Sequence, residues 1–356
     1  MIIRDFDVRA RVLVVAEIGN NHEGDFKVAQ ELVRRAKESG AHAVKFQTFQ
    51  TRYFVGRQDP ARYARLSGFE LTYAQFAELA RLAKSLGLLF ISTPLDLESA
   101  RFLQGVVDAY KVASGDNDFY PLMTTIAATG DPVIISSGMS DMAQVFAAKQ
   151  CVETAWQACG ITQSLAVLHC VSSYPAPPES INLSVLPRLA TELGCTVGYS
   201  DHTEGIEACV LAVALGARII EKHFTLDKHY SDFRDHQLSA DPAEMRRLVT
   251  EIARAETLLG RPEKRMQACE VPIAKVARRS IAAVADLPAG HVVTPEDLMW
   301  IRPAGGLRPG EEGVLVGRRL RHTITAGTQI LAADVEHGGP ATGGPPNPLE
   351  DGGSLG

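Results

Sequence analysis

The chain has 356 residues, 46% of them hydrophobic and 22% charged, with a formal net charge of −6. That is enough for one large domain and a small one, and its dispersed acidic balance offers no basic face for nucleic acid. No apolar run approaches the roughly 20 residues that span a bilayer. The opening MIIRDFDVRA lacks a signal-peptide apolar core, and the six cysteines form no C-x-x-C pair, so free thiols in the cytoplasm are expected.

From Val12 to about Leu259 short apolar runs alternate with amphipathic stretches. The predicted strands are Val12–Glu17, Ala43–Gln47, Leu88–Thr93, Ala109–Val112, Val133–Ser136, Leu165–His169, Thr196–Tyr199 and Ile219–His223. Their near-continuous apolarity suits strands buried on both faces. Between them, FKVAQELVRRAKESG places Phe26, Ala29, Leu32, Val33 and Ala36 on one helical face, with Gly40 as its stop; YAQFAELARLAKSLG repeats the design and stops at Gly87. Eight strand–helix units in about 250 residues predict a (β/α)₈ TIM barrel over residues 1–260. A doubly wound sheet is the alternative, but neither G-x-G-x-x-G nor a Walker loop is present. Residues 261–276 are polar, carry two prolines and read as a linker. Residues 277–336 combine short β-like runs with Gly/Pro turns, the pattern of a compact β-rich module, and the Gly/Pro-rich tail 337–356 is expected to be disordered.

Every predicted strand ends in polar residues. They are Glu17; Lys45 and Gln47; Thr93; Lys111, Ser114 and Asp116; Ser136; His169, Ser172 and Tyr174; Ser200 and His202; Glu221 and His223. In a barrel these ends converge on the catalytic face, and a buried Lys or His is costly unless it is paired or used. Lys45 and Lys111 with Ser114, Ser136 and Ser200 make a cationic, hydroxyl-rich pocket suited to phosphate or carboxylate; for either lysine alone, an ion pair with a barrel glutamate is the competing reading. His202 and His223, on adjacent strands, suit a divalent metal completed by water and substrate oxygens; satisfied core histidines are the alternative. Glu17, Asp116, Glu221 and Asp235 are the carboxylates available for proton transfer or sugar hydroxyls.

The stretches AEIGNNHEGDFKVAQELVRRAKESGAHAVKFQTF, YKVASGD, ISSGMS, LHCVSSYPAPPESINL, VGYSDHTEG and IIEKHFTLDK resemble the sialic acid synthase family, which includes N-acetylneuraminate, legionaminate and pseudaminate synthases. The similarity reaches to about Val335, and Ala277–Val335 resembles the family's C-terminal SAF domain, similar to type III antifreeze proteins. The resemblance implies phosphoenolpyruvate held by Lys45, Thr93, Lys111, Ser114, Ser136 and Ser200. It implies manganese or magnesium on His202 and His223, with Glu17 near the reacting centre. Gln47, Asp116, Ser172, Tyr174, Glu221 and Asp235 fall around an acyl-amino-sugar. It further implies a homodimer swapped through the SAF domain, with Arg302 of one subunit entering the partner's sugar site. Ser172 stands where the bacterial N-acetylneuraminate enzymes often have Asn, and Asp116 where the family often has Glu. The expected reaction joins phosphoenolpyruvate to N-acetylmannosamine or a diacetamido-trideoxyhexose, giving a sialic-type acid and phosphate. An N-acetylneuraminate synthase is the first reading and a legionaminate or pseudaminate synthase the second. A Schiff-base aldolase and a non-catalytic carbohydrate-binding protein are the readings from other classes.

Overall fold

A computed structural model describes residues 1–336; the tail 337–356, expected to be disordered, lies outside the described residues. The chain divides into two compact units, Met1–Arg261 and the residues from Pro262 on.

In the first unit eight parallel strands close a barrel: β1 Leu13–Gly19, β2 Ala43–Thr48, β3 Leu89–Pro94, β4 Ala109–Val112, β5 Val133–Ser136, β6 Leu165–Cys170, β7 Thr196–Asp201 and β8 Ile219–His223, with β8 pairing back onto β1. The strands lie where the apolar runs predicted them. Around them, helix Phe26–Glu38 starts at Asp25, whose side chain accepts from the Lys27 and Val28 N–H groups, and buries Ala29, Leu32, Val33 and Ala36. Such a cap contributes about 1 kcal/mol. Gly40 follows at φ +85°, a left-handed conformation that a side chain would disfavour. Phe26 is only half-buried, at the end of the stripe.

The barrel interior is read off the two-residue period of its strands. Val15, Ala43, Ile91, Ala109, Ile134, Leu168 and Ile219 belong to one buried apolar cluster. The alternate residues Val14, Val44, Phe90, Tyr110, Ile135, Val167 and Ile220 belong to another, packed with the helices. Gly198 completes the inner layer on β7, where a Cβ would stand 2.4 Å from the Ile219 carbonyl. Met1, Ile3, Phe6 and Val8 close the lower end of this core. They come from a hairpin, Ile2–Ile3 with Phe6–Asp7, too short for periodicity to reveal.

Two departures from the regular plan follow β2. Helices Thr51–Phe54 and Pro60–Phe69 precede the expected helix Tyr73–Ser85, and the second buries none of its residues. The 261–276 stretch, read as a linker, contains a 3₁₀ turn, Ala268–Glu270, and most of helix Val271–Ala277. Pro272 sits in that helix's first turn, where its missing N–H breaks no helical bond. In the second unit Ser280–Ala283 pairs antiparallel with Leu298–Ile301. Isolated bridges and 3₁₀ turns enclose a core that includes Ile281, Leu298, Leu315, Leu320 and Ile330.

Two histidines tie the barrel to pH. Burial pushes His22 down to about 4, and burial with the nearby Arg11 and Lys37 charges pushes His42 down to about 4, from an ordinary 6.5. The native rings are neutral while the unfolded chain takes up protons below its ordinary value, so their stability is full above pH 6.5 and lost as pH falls through this window. Calorimetry should show the melting temperature falling from about pH 6.5 to about pH 4; a flat profile would mean that both imidazoles are protonated in the native barrel.

Candidate active site

One step beyond the apolar layer, each strand's next inward residue is polar or a thiol. These are Glu17, Lys45, Thr93, Lys111, Ser136, Cys170, Ser200 and Glu221, and all eight line one cavity of about 440 Å³ at the carboxyl rim. The next inward positions, His202 and His223, stand above Ser200 and Glu221 on β7 and β8, and both line the same cavity. The period that fills the core with apolar side chains thus builds the site when it reaches the rim.

At its floor the charges interlock. Lys45 Nζ lies 3.3 Å from Glu17 Oε2 and 3.0 Å from Glu221 Oε1, and Lys111 Nζ 3.9 Å from the same Glu221 oxygen. Ser200 Oγ donates to Glu221 at 2.9 Å, and Lys111 donates to Ser136 Oγ at 2.5 Å. The lysine–glutamate pairing weighed against an anion site is therefore present, and the paired lysines still face the cavity. Burial pushes the Glu17 carboxyl up toward neutrality, with the Glu221 charge adding to it and Lys45 opposing. Burial opposes ionisation of Glu221 too, but Lys111 and Lys45 hold its carboxyl low. Burial pulls Lys111 down, whereas Glu17 and Glu221 overcome burial and hold Lys45 up. Glu221, expected near the sugar, lies between these two cations on the cavity floor.

Beside them is a cradle of hydroxyls. Thr93 Oγ1 and Ser172 Oγ are buried without a partner among the described residues. Ser114 accepts from the Gly138 N–H at 3.1 Å. A Cβ on Gly138 would stand 2.3 Å from Ser172 Oγ and 2.6 Å from Ser114 Oγ. Gly138→Ala is thus expected to displace both hydroxyls and weaken anion binding about tenfold or more. Calorimetric titration checks this, and an unchanged affinity removes the serine pair from the site.

The histidine rings lie 5.4 Å apart, with Tyr174 packed 4.2 Å from His202 and 6.1 Å from His223. His202 Nδ1 meets the Val171 carbonyl at 2.9 Å; a carbonyl only accepts, so Nδ1 carries a proton and Nε2 is the nitrogen left for a ligand. Burial opposes protonation of this ring, but Cys170 and the Val171 carbonyl outweigh it and hold the imidazole above its ordinary value, so a metal would have to displace a proton there. His223 Nδ1 is buried with no partner among the described residues, and burial and the His202 charge push the ring well below its ordinary value, so it is neutral. Two imidazoles with a nitrogen each free of protein partners beside a polar cavity fit a divalent cation that would take its remaining ligands from water and substrate. The described residues contain no preformed cluster of three or more His, Cys, Asp or Glu ligands.

Behind the histidines, on the outer faces of β7 and β8, Lys222 Nζ donates to Asp201 Oδ2 at 2.8 Å. Asp201 Oδ1 also accepts from Tyr199, Thr203 Oγ1 and the Thr203 N–H. This buried network joins the strands that carry His202 and His223. Lys222→Met strands a buried carboxylate and is expected to destabilise the barrel by about 3–5 kcal/mol, and Lys222→Met/Asp201→Leu to recover much of it, as read by denaturant unfolding.

Above the rim a wider opening of about 920 Å³ is lined by Gln47, Tyr174, His223 and Asp235, with Asn20, Glu23, Phe54, Arg62, Arg65, Leu66, Phe69, Phe233 and Arg234. Of the expected sugar neighbours, Gln47, Tyr174 and Asp235 are here. Asp116 lines neither cavity; burial and Asp118 raise its carboxyl to about 6. Arg302 belongs to the second unit, exposed after the strand Leu298–Ile301. His169 turns away from the rim, its Nε2 2.6 Å from the Ile181 carbonyl, and it has no hydrogen bond to a rim group among the described residues. The sequence reading missed Cys170, whose Sγ lies 3.7 Å from His202 Nδ1. It also missed Arg62, Arg65 and Arg234. Cys170 was legible from its two-residue offset from Leu168, whereas the arginines sit on loops and an added helix with no strand register to flag them.

The fold and rim define a (β/α)₈ protein with paired lysines and glutamates, hydroxyls and two histidines gathered at the carboxyl ends of its strands. The NeuB family model matches residues 32–264 and the SAF domain model residues 278–336. The N,N'-diacetyllegionaminic acid synthase of Legionella pneumophila is 41% identical over 337 residues, 91% of this chain and 94% of that one. The human N-acetylneuraminate-9-phosphate synthase is 32% identical over 343 residues, 92% of this chain and 93% of that one. The solved N-acetylneuraminic acid synthetase of Leptospira borgpetersenii superposes with a TM-score of 0.68 at 33% identity, covering 74% of this chain and 90% of that one. The chain belongs to the NeuB family of sialic acid-type synthases and carries a C-terminal SAF domain.

Proposed function

We propose that the chain condenses phosphoenolpyruvate with an open-chain N-acyl amino-sugar, releasing phosphate and a nonulosonic acid. The observation that carries this reading is the meeting of Lys45, Lys111, His202 and His223 on one cavity. Lys45, Lys111, Ser114, Ser136, Ser200 and the open hydroxyls of Thr93 and Ser172 hold the phosphate and carboxylate of phosphoenolpyruvate. Gln47, Tyr174 and Asp235 face the sugar. C3 of phosphoenolpyruvate attacks the aldehyde carbon, water adds to the resulting cationic C2, and the C2–O bond to phosphate breaks. His202 and His223 would hold a divalent cation, manganese or magnesium, which would supply Lewis-acid chemistry toward the aldehyde. Glu17, held near neutrality by burial, gives a proton to that oxygen and takes one from the water. The lysines and hydroxyls stabilise the phosphate as its charge grows. Placing both substrates in one cavity contributes up to about 7–11 kcal/mol through orientation.

For the sugar, a diacetamido-trideoxyhexose is the reading better supported than N-acetylmannosamine. Support comes from the 41% identity to the legionaminate enzyme, and from Phe54, Leu66, Phe69 and Phe233, an apolar wall suited to acyl and deoxy methyl groups. Arg302, in a homodimer exchanged through the SAF domain, would complete the sugar site, and the six free thiols support a cytoplasmic setting. Among the described residues no helix is long and apolar enough to cross a membrane. The test is phosphate release from phosphoenolpyruvate against a panel of N-acyl amino-sugars. A several-fold preference in kcat/KM for the diacylated sugar is expected; preference for N-acetylmannosamine would reverse the substrate reading, and no release with any sugar would remove the reaction.

A further inference from the structure

The lower end of the barrel, opposite the catalytic rim, holds a separate polar cavity of about 300 Å³ where the helices ending at Gly40 and Gly87 meet the N-terminal hairpin. Arg4, Arg11, Lys37, His42 and Lys84 line it, opposed there by Asp5 alone. Two of the cations are accounted for. Arg4 and Lys84 share Asp108 at 3.7 and 3.3 Å, and Lys84 also donates to the Val106 carbonyl at 2.7 Å. Arg11 and Lys37 have no carboxylate partner and no side-chain hydrogen bond among the described residues. The Arg11 guanidinium is held 4.3 Å over the Phe6 ring, which in turn packs 5.1 Å from His42. His42 Nδ1 accepts from the Val14 N–H at 3.0 Å, so its neutral ring carries its proton on Nε2, a donor with no acceptor among the described residues.

We propose that this cavity binds a small anion of the phosphate class, with Arg11, Lys37 and the His42 Nε2–H as its donors. Two unpaired cations and one N–H around a common concavity repel one another when it is empty and match a tetrahedral oxyanion when it is filled. Burial is the main reason His42 stays neutral, and the Arg11 and Lys37 charges beside it push in the same direction. Phe6 fixes the guanidinium by stacking, which lowers the entropy lost on binding. The donors come from the loop into β1, the end of the first helix and the turn into β2, and Phe6 of the hairpin backs one of them. An anion there would therefore tie together three segments at the closed end of the barrel. The assignment is independent of the chemistry at the rim.

The test is calorimetric titration and thermal unfolding of the full chain with inorganic phosphate and, separately, with glycerol phosphate, at ionic strength fixed by chloride. Wild type, Arg11→Ala/Lys37→Ala and Gly138→Ala are compared, the last impairing the rim cradle and leaving the lower cavity intact. The wild type and Gly138→Ala should each show anion binding that raises the melting temperature. In Arg11→Ala/Lys37→Ala the affinity of this site should fall at least about tenfold. The stronger of the two ligands then names the source of the phosphate group. Both substituted residues are exposed, and Lys37→Gln alone gives a milder variant with a smaller loss. Superimposable titrations of wild type and Arg11→Ala/Lys37→Ala, or binding lost only in Gly138→Ala, would overturn the proposal.

Discussion

Dialysis against EDTA is expected to lower phosphate release by about a thousandfold, and added manganese to restore it. The expectation rests on the paired imidazoles. His202 spends its Nδ1 proton on the Val171 carbonyl, and His223 is buried, neutral and unpartnered at Nδ1. A divalent ion requires imidazole nitrogens with free lone pairs; His223 offers one, left unsatisfied by burial, and binding at His202 Nε2 would release the proton that Cys170 favours there. Direct binding of manganese, followed by its paramagnetic resonance signal, should be lost in His202→Ala and His223→Ala alike. Full phosphate release after thorough chelation would remove the metal from the reaction.

Lys45→Met should lower kcat/KM by at least about a thousandfold and destabilise the barrel as well. Lys45 stands between Glu17 and Glu221, so its loss leaves two buried carboxylates facing one another and removes a cation from the anion pocket. Lys45→Arg should not rescue activity, because a planar guanidinium cannot fit a point-charge position between two carboxylates without displacing the floor. Lys111→Met should impair anion use with a smaller loss of stability, since Glu221 keeps Lys45 and Ser200. Neither lysine should be trapped by borohydride with pyruvate. Trapping at either would turn the site into a Schiff-base aldolase. Near-normal kinetics in Lys45→Met would sever the floor of the cavity from the reaction.

Much of this architecture is legible in the linear pattern. The eight strands follow from apolar runs of the right length, and their polar ends name Glu17, Lys45, Thr93, Lys111, Ser136, Ser200, Glu221 and the two histidines, because a buried ion is too costly to occur at every strand end by chance. The inward offset of two residues also contains Cys170, hidden because a thiol reads as an ordinary apolar side chain. The hairpin at Ile2–Asp7 and the helix Pro60–Phe69 escaped for different reasons. The first is two residues per strand, and the second buries nothing, so neither leaves a hydrophobic period.

What the sequence alone determined is the barrel and the chemical types at its rim, since local periodicity dictates which side chains must face inward. Which partner each charge takes was decided by tertiary structure. Glu221 pairs with Lys45 and lies near Lys111, Asp116 lines neither rim cavity, and Arg11 and Lys37 line one cavity below the barrel. Such pairings depend on distances between segments far apart in the chain, and electrostatic energy is set by those distances and by burial, neither of which a local pattern encodes.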